Sequence, residues 1–143
     1  MNLKMKLIPL LFVPLLAVGC GGDGISRLKT HPVEGLVQFE GRPLEGAFVV
    51  LHPKGVSDPK HLAAQAKTDA TGKFKPTTYD ANDGAIAGEY SVTVEYFELV
   101  KSEEGVKAGP NILPEKYASP KTTDLTIRVA EGENKIPVIN ITR

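Results

Sequence analysis

The residues of this chain with types suited to chemistry are three histidines, one cysteine, five serines and one acid-rich turn. His31 precedes Pro32, and His52 and His61 flank a stretch holding Pro53 and Pro59. A zinc site takes its ligands from Cys, His or carboxylates at close spacings, and these histidines have none such. All three read as solvated loop residues. Asp80-Ala81-Asn82-Asp83-Gly84 offers the oxygen atoms that calcium prefers, but the later bidentate Glu of an EF-hand loop is missing. Acids beside glycine bond their own backbone and make turns, which is the plainer reading here. No serine lies in a Gly-x-Ser-x-Gly elbow. The expectation is a non-enzymatic chain with no catalytic residue, no metal and no cofactor. Tyr79 and Tyr117 fall in predicted loops and could stack on a sugar ring, although Tyr117 serves as well to plug the end of a core.

Cys20 is the one cysteine, so no disulfide can form within the chain. Lys4 and Lys6 lead into an apolar run from Leu7 to Val18, and Gly19-Cys20 ends it. A basic start, a short apolar middle and small residues at the end make a secretory signal. The run is too short to span a bilayer, which takes about 20 apolar residues, and Pro9 and Pro14 interrupt it. Leu16-Ala17-Val18-Gly19-Cys20 resembles the lipobox of bacterial lipoproteins. The resemblance implies cleavage before Cys20, a diacylglycerol thioether on its sulfur and acylation of the new amino group. Two or more acyl chains make such attachment stable, at about 0.8 kcal/mol per buried methylene. Residues 1–19 are then a signal peptide, and the protein is extracytoplasmic, held to a bacterial membrane by its N-terminal lipid. Without Lys4 and Lys6 the chain has 15 basic and 17 acidic residues, a net charge of −2, so the lipid and not charge must hold the membrane. No basic cluster stands out, which argues against nucleic acid as a partner. Residues 20–32 read as the lipidated cysteine and a flexible tether, its Gly-rich part reaching roughly 20 Å.

The elements behind these residues are strands. Ala87 to Phe97 is the longest clean alternation, with Tyr90, Val92, Val94 and Tyr96 on one face and Ser91, Thr93 and Glu95 on the other. That is the pattern of a half-buried strand. Val33 to Phe39 alternates likewise. Phe48 to Leu51 is a continuous apolar run, as a strand buried on both sides would be. Ala64 to Thr68 is a weak strand, and Thr68-Asp69-Ala70-Thr71-Gly72-Lys73-Phe74 carries hairpin chemistry. Glu98 to Ile112 is polar, Gly-rich and without a period, so it reads as a long loop, the segment where a partner is most expected. Leu113 to Thr123 is irregular but ordered. Asp124 to Val129 and Ile136 to Thr142 close the chain as strands, the latter at a sheet edge because of Pro137. With 14 Gly and 11 Pro spaced between short runs, the pattern is an all-β, Greek-key β-sandwich of about seven strands.

Val33-Glu34-Gly35-Leu36-Val37, Gly41-Arg42-Pro43-Leu44-Glu45-Gly46-Ala47 and Val49-Val50-Leu51 together resemble the opening of carboxypeptidase regulatory-like domains, which are transthyretin-like (prealbumin-like) sandwiches. The Thr68–Phe74 turn and Gly88-Glu89-Tyr90-Ser91-Val92 resemble the next landmarks of that family. The likeness spans most of residues 33–142, and its motifs are turns and core positions, so it implies a fold over 33–143 and little about activity. Transthyretin-like enzymes that hydrolyse hydroxyisourate end in Tyr-Arg-Gly-Ser, whereas this chain ends Asn140-Ile141-Thr142-Arg143, so that activity does not carry over. The function expected is a structural or protein-interaction role in the cell envelope, with a protein or glycan partner. The alternative is a carbohydrate- or calcium-binding module.

Overall fold

The structure, a computed structural model, describes residues 26–143. The expected signal peptide at 1–19, the lipidation site Cys20 and the first part of the tether lie outside the described residues. Thirteen strands follow in order: β1 (Thr30–His31), β2 (Val33–Phe39), β3 (Arg42–Pro43), β4 (Phe48–Pro53), β5 (Ala64–Lys67), β6 (Lys73–Phe74), β7 (Ala85–Ile86), β8 (Gly88–Glu95), β9 (Phe97–Ser102), β10 (Gly105–Asn111), β11 (Thr126–Val129), β12 (Asn134–Lys135) and β13 (Ile139–Ile141). Each strand expected from the sequence is present, as β2, β4, β5, β6, β8, β11 and β13. The additions are the two-residue strands β1, β3, β7 and β12 and the pair β9 and β10.

Two sheets face each other. One is antiparallel throughout, in the order β11-β8-β4-β5. The other is built around β2. The Val37 N–H goes to the Gly72 carbonyl, and the Val37 carbonyl takes the Leu44 N–H, so one edge of β2 holds β6 and β3. The other edge holds β12 and then β13, both parallel to β2. The break between those two falls at Pro137, which has no N–H to give a ladder. Val37, Phe74 and Ile141 from the second sheet meet Val49, Leu51, Tyr90, Val92 and Val94 from the first, all essentially buried. The molecule is an all-β sandwich.

Three expectations change. Thr30–His31 pairs with Ala85–Ile86 as β1 and β7, so ordered structure starts ahead of Val33. The Asp69–Gly72 turn is present, with the Asp69 carboxylate accepting from Thr71 N, Thr71 Oγ1 and Lys73 N. It does not close a hairpin, because β5 pairs with β4 while β6 pairs with β2, so the turn carries the chain from one sheet to the other. Finally, β8 is buried on both faces. Tyr90, Val92 and Val94 are fully buried as the alternation requires, yet Ser91 and Thr93 are buried too. The strand lies between β11 and β4, and neighbouring side chains close over its outer face; His52 Nε2 lies 3.0 Å from Thr93 Oγ1.

The changed burial alters the expected cost of substitution. Val92→Ala removes buried methyls and should lose about 2–3 kcal/mol. On a solvent face, Thr93→Ala would lose under about 0.5 kcal/mol. Buried and bonded to His52, it should lose about 1 kcal/mol. Denaturant melts of the two variants check both values, and a Thr93→Ala protein indistinguishable from the parent would restore the half-buried reading.

Candidate functional site

The residues picked out by type are mostly engaged in holding the fold. His31 is buried, and its Nδ1 accepts from the Gly132 N–H at 2.9 Å, so its proton sits on Nε2. Tyr90 donates its hydroxyl to the Ile86 carbonyl at 2.6 Å. That hydroxyl has one hydrogen to give, so His61 Nε2, 2.9 Å away, must be the donor to the Tyr90 oxygen. Burial pushes the Tyr90 phenol up to about 12. Burial also lowers the pKa of His52, which keeps the ring neutral against Thr93. The expectation of solvated loop histidines therefore fails for His31, which is buried, and for His52, which lies in β4; His61 stays in its loop, half-buried, but is tied to Tyr90. Each reaches a strand or turn that is distant in sequence, and no local signal marks such partners.

The acid-rich turn also faces its own backbone. Asp83 accepts from the N–H groups of Thr78, Tyr79 and Asp80 at 2.7, 3.1 and 3.1 Å. Burial raises its pKa, but backbone hydrogen bonds outweigh that and hold the carboxyl below its usual range. Asp80 pairs instead with Arg27 at 2.9 Å. The oxygens do not converge as calcium would need, and among the described residues no three His, Cys, Asp or Glu side chains gather into a metal site. The two tyrosines likewise play separate parts. Tyr117, on a short 3-10 turn at Glu115–Ala118, is buried in the core cluster. Tyr79 is half-buried, its hydroxyl donating to the Lys60 carbonyl and accepting from Leu28 N.

The surface that stands out is the segment read as a loop. Residues 97–111 form a two-stranded antiparallel ribbon, β9 against β10, reversing at Glu103-Glu104. Gly105, at φ +123, takes a backbone conformation that side chains resist. Ser102 Oγ donates to the Gly105 carbonyl at 3.0 Å. Asn111 Oδ1 clamps the root by accepting from Tyr96 N and Leu113 N. The pairs Leu99↔Ala108 and Lys101↔Val106 put these four residues on one face. Leu99 is 71% exposed and Val106 64%. The face runs into a cleft of about 570 Å³ between the ribbon and the sheet, bounded by Phe48, Lys67, Tyr96 and Phe97. Phe48 is 46% exposed, contrary to the reading of Phe48–Leu51 as buried on both sides. Its ring tilts against Phe97 at 6.2 Å, with Lys67 Nζ 5.3 Å from the ring centre. A signal existed in the sequence: Phe97, Leu99 and Lys101 alternate into Glu103-Glu104-Gly105, and Val106 and Ala108 alternate out. The polar composition masked it, because neither face of this ribbon is covered enough to demand apolar residues throughout.

The ribbon lies far from the N-terminal end. Thr30 pairs with Ile86, just before β8, and the ribbon leaves just after it. The eight residues of β8, at about 3.3 Å each, separate the two by roughly 26 Å. Arg27 and Leu28 are fixed to Asp80 and Tyr79 at the first of these ends.

Fold and surface together define an all-β sandwich that carries a protruding ribbon with an exposed apolar face. No protein-family model matches the chain, and no curated protein does. Among solved structures, a candidate carbohydrate-binding protein from Pseudomonas aeruginosa aligns at 13% identity and a TM-score of 0.41, over 82% of this chain and 90% of its own. A 9R-lipoxygenase from Cyanothece aligns at 14% identity and a TM-score of 0.42, over 79% of this chain and 16% of that one.

Proposed function

We propose that the protein is a non-enzymatic module of the carboxypeptidase regulatory-like type, anchored through a lipid on Cys20 outside the cytoplasm. Its ribbon holds a protein partner at a distance from the membrane. The observation that carries this reading is the exposed apolar face of Leu99, Val106 and Ala108, continuous with the Phe48–Phe97 cleft. Exposed apolar surface of this kind marks contact sites when it is contiguous and rimmed by polar groups. Lys67 and Glu45 at the cleft and Lys101 on the ribbon give that rim both charges, so the partner is a protein segment with apolar side chains among polar ones. The position of the ribbon at the end of β8 away from the tether lets it face outward while the lipid holds the other end. That the three histidines are spent on Gly132, Thr93 and Tyr90 supports a role without catalysis.

A Leu99→Asp/Val106→Asp double variant tests this in membranes from cells making the full chain. Both sites are exposed, so melting should shift by under about 0.5 kcal/mol. A partner that binds the purified parent directly should bind the double variant at least about tenfold more weakly. Cys20→Ser should block lipid attachment, leaving an unprocessed or shed protein that takes up no radiolabelled fatty acid, with that direct binding intact. Full partner binding by the double variant would remove the ribbon from the reading, and a membrane-bound Cys20→Ser protein that takes up as much labelled fatty acid as the parent would remove the anchor.

A further inference from the structure

On the open side of β5 lies a second surface, a groove of about 700 Å³ between the two sheets. We infer that this groove is a binding site for an acidic glycan, a saccharide chain carrying carboxylate, phosphate or sulfate groups. The inference rests on three features of its lining. The first is charge. Lys67, Lys73 and Lys75 all face the groove in a chain that would carry a net −2 once shortened to Cys20. Glu34 also lines the groove and pairs with Lys75 at 3.9 Å, but among the described residues neither Lys67 nor Lys73 has a carboxylate within ion-pair distance, so the lining keeps a basic excess. The Asp69 carboxylate, on the same wall, is turned into its own loop by Thr71 and the Lys73 N–H.

The second feature is the neutral polar set. Gln65 and Asn82 offer amides, and Thr77 a hydroxyl. Thr77 Oγ1 accepts from Asn82 N at 2.9 Å and keeps its own hydrogen to donate. Groups that both give and accept suit sugar hydroxyls, which do the same. Half-buried Val50 and Ala66 add apolar surface along which a sugar ring can lie, and Phe48 stands at one end.

The third feature excludes the main competitor. An extended peptide could bind a sheet edge by adding a strand, for which it needs unpaired backbone groups. Here the Gln65 N–H and carbonyl are already bonded to Thr77, at 3.0 and 2.8 Å, so the β5 edge is closed at its middle. What the groove presents is side chains, and those select anions and hydroxyls. The site is distinct from the ribbon face, although Phe48 and Lys67 border both surfaces.

The test is titration calorimetry on the full chain in nonionic detergent at low salt, with oligogalacturonate, a neutral malto-oligosaccharide and oligoglutamate of similar length as probes. Oligogalacturonate should bind, weakening as salt rises. Each of the other two should bind at least about tenfold more weakly. Lys73→Gln/Lys75→Gln, both exposed and outside the ribbon cleft, should weaken oligogalacturonate binding about tenfold, and Gln65→Ala should weaken it without changing its salt dependence. Leu99→Asp/Val106→Asp should leave it unchanged, which separates this site from the ribbon. Absence of binding, equal binding of oligoglutamate or of the neutral sugar, or full binding by the lysine variant would each overturn the inference.

Discussion

Gly84→Ala should destabilise the protein by more than about 3 kcal/mol, the largest effect expected from adding a single methyl group. Gly84 sits at φ +89, where a side chain by itself costs about 1–3 kcal/mol. An added Cβ would also run into the carbonyl of His31 and come to 2.9 Å from Pro32 Cα. Neither side can retreat. The Gly84 N–H donates to the Pro76 carbonyl and its carbonyl accepts from Thr78 Oγ1, so the glycine is held at both ends. His31 is held by its β1–β7 pairing and by Gly132. Gly41 provides the control. Its φ is +76, but nothing lies within 4 Å of a Cβ there, so Gly41→Ala should lose only about 1 kcal/mol, the backbone part alone. Denaturant midpoints of the two variants make the comparison. Equal losses would show that β1 is not packed on Gly84.

Tyr90→Ala should lose about 3–5 kcal/mol, through a cavity in the centre of the core. Tyr90→Phe separates the ring from the hydroxyl. It keeps the packing but strands the buried Ile86 carbonyl, at a cost of about 1–3 kcal/mol. His61 is only half-buried and can turn to water, so it adds little. A spectroscopic reading accompanies the melts. Of the four tyrosines, Tyr90 should ionise only near 12, and that late tyrosinate step should vanish in Tyr90→Phe. The linkage has a definite sign. In the unfolded chain the phenol ionises near 10.0, so the stability tied to a neutral Tyr90 is complete below that pH and is lost as pH rises toward about 12. If Tyr90→Phe kept both the parental stability and the late step, the Ile86 and His61 bonds would be the wrong account of this hydroxyl.

These two residues also show how far the sequence reaches. Tyr90 opens the cleanest alternation in the chain, and period-2 spacing puts Tyr90, Val92 and Val94 on one face whatever they pack against. Gly72 and Pro137 are legible in the same way, one allowing a turn that other residues resist and the other marking an edge strand. The sequence therefore determined the β class, the main strands and the turns between them, because these follow from backbone geometry within a few residues. The tertiary structure decided the rest. Alternation says which residues share a face but not whether a face is covered, so Thr93 is buried while Phe48, in an unbroken apolar run, is half exposed. The partners of His31 and His61 lie 101 and 29 residues away, and a bond of that span exists only once the sandwich has closed. The ribbon and the lysine groove have the same origin. Phe48 meets Phe97 because β4 pairs with β8, which leads into the ribbon, and the groove exists because β5 and β6 lie in different sheets that face each other, outcomes of long-range pairing and packing that no local pattern encodes.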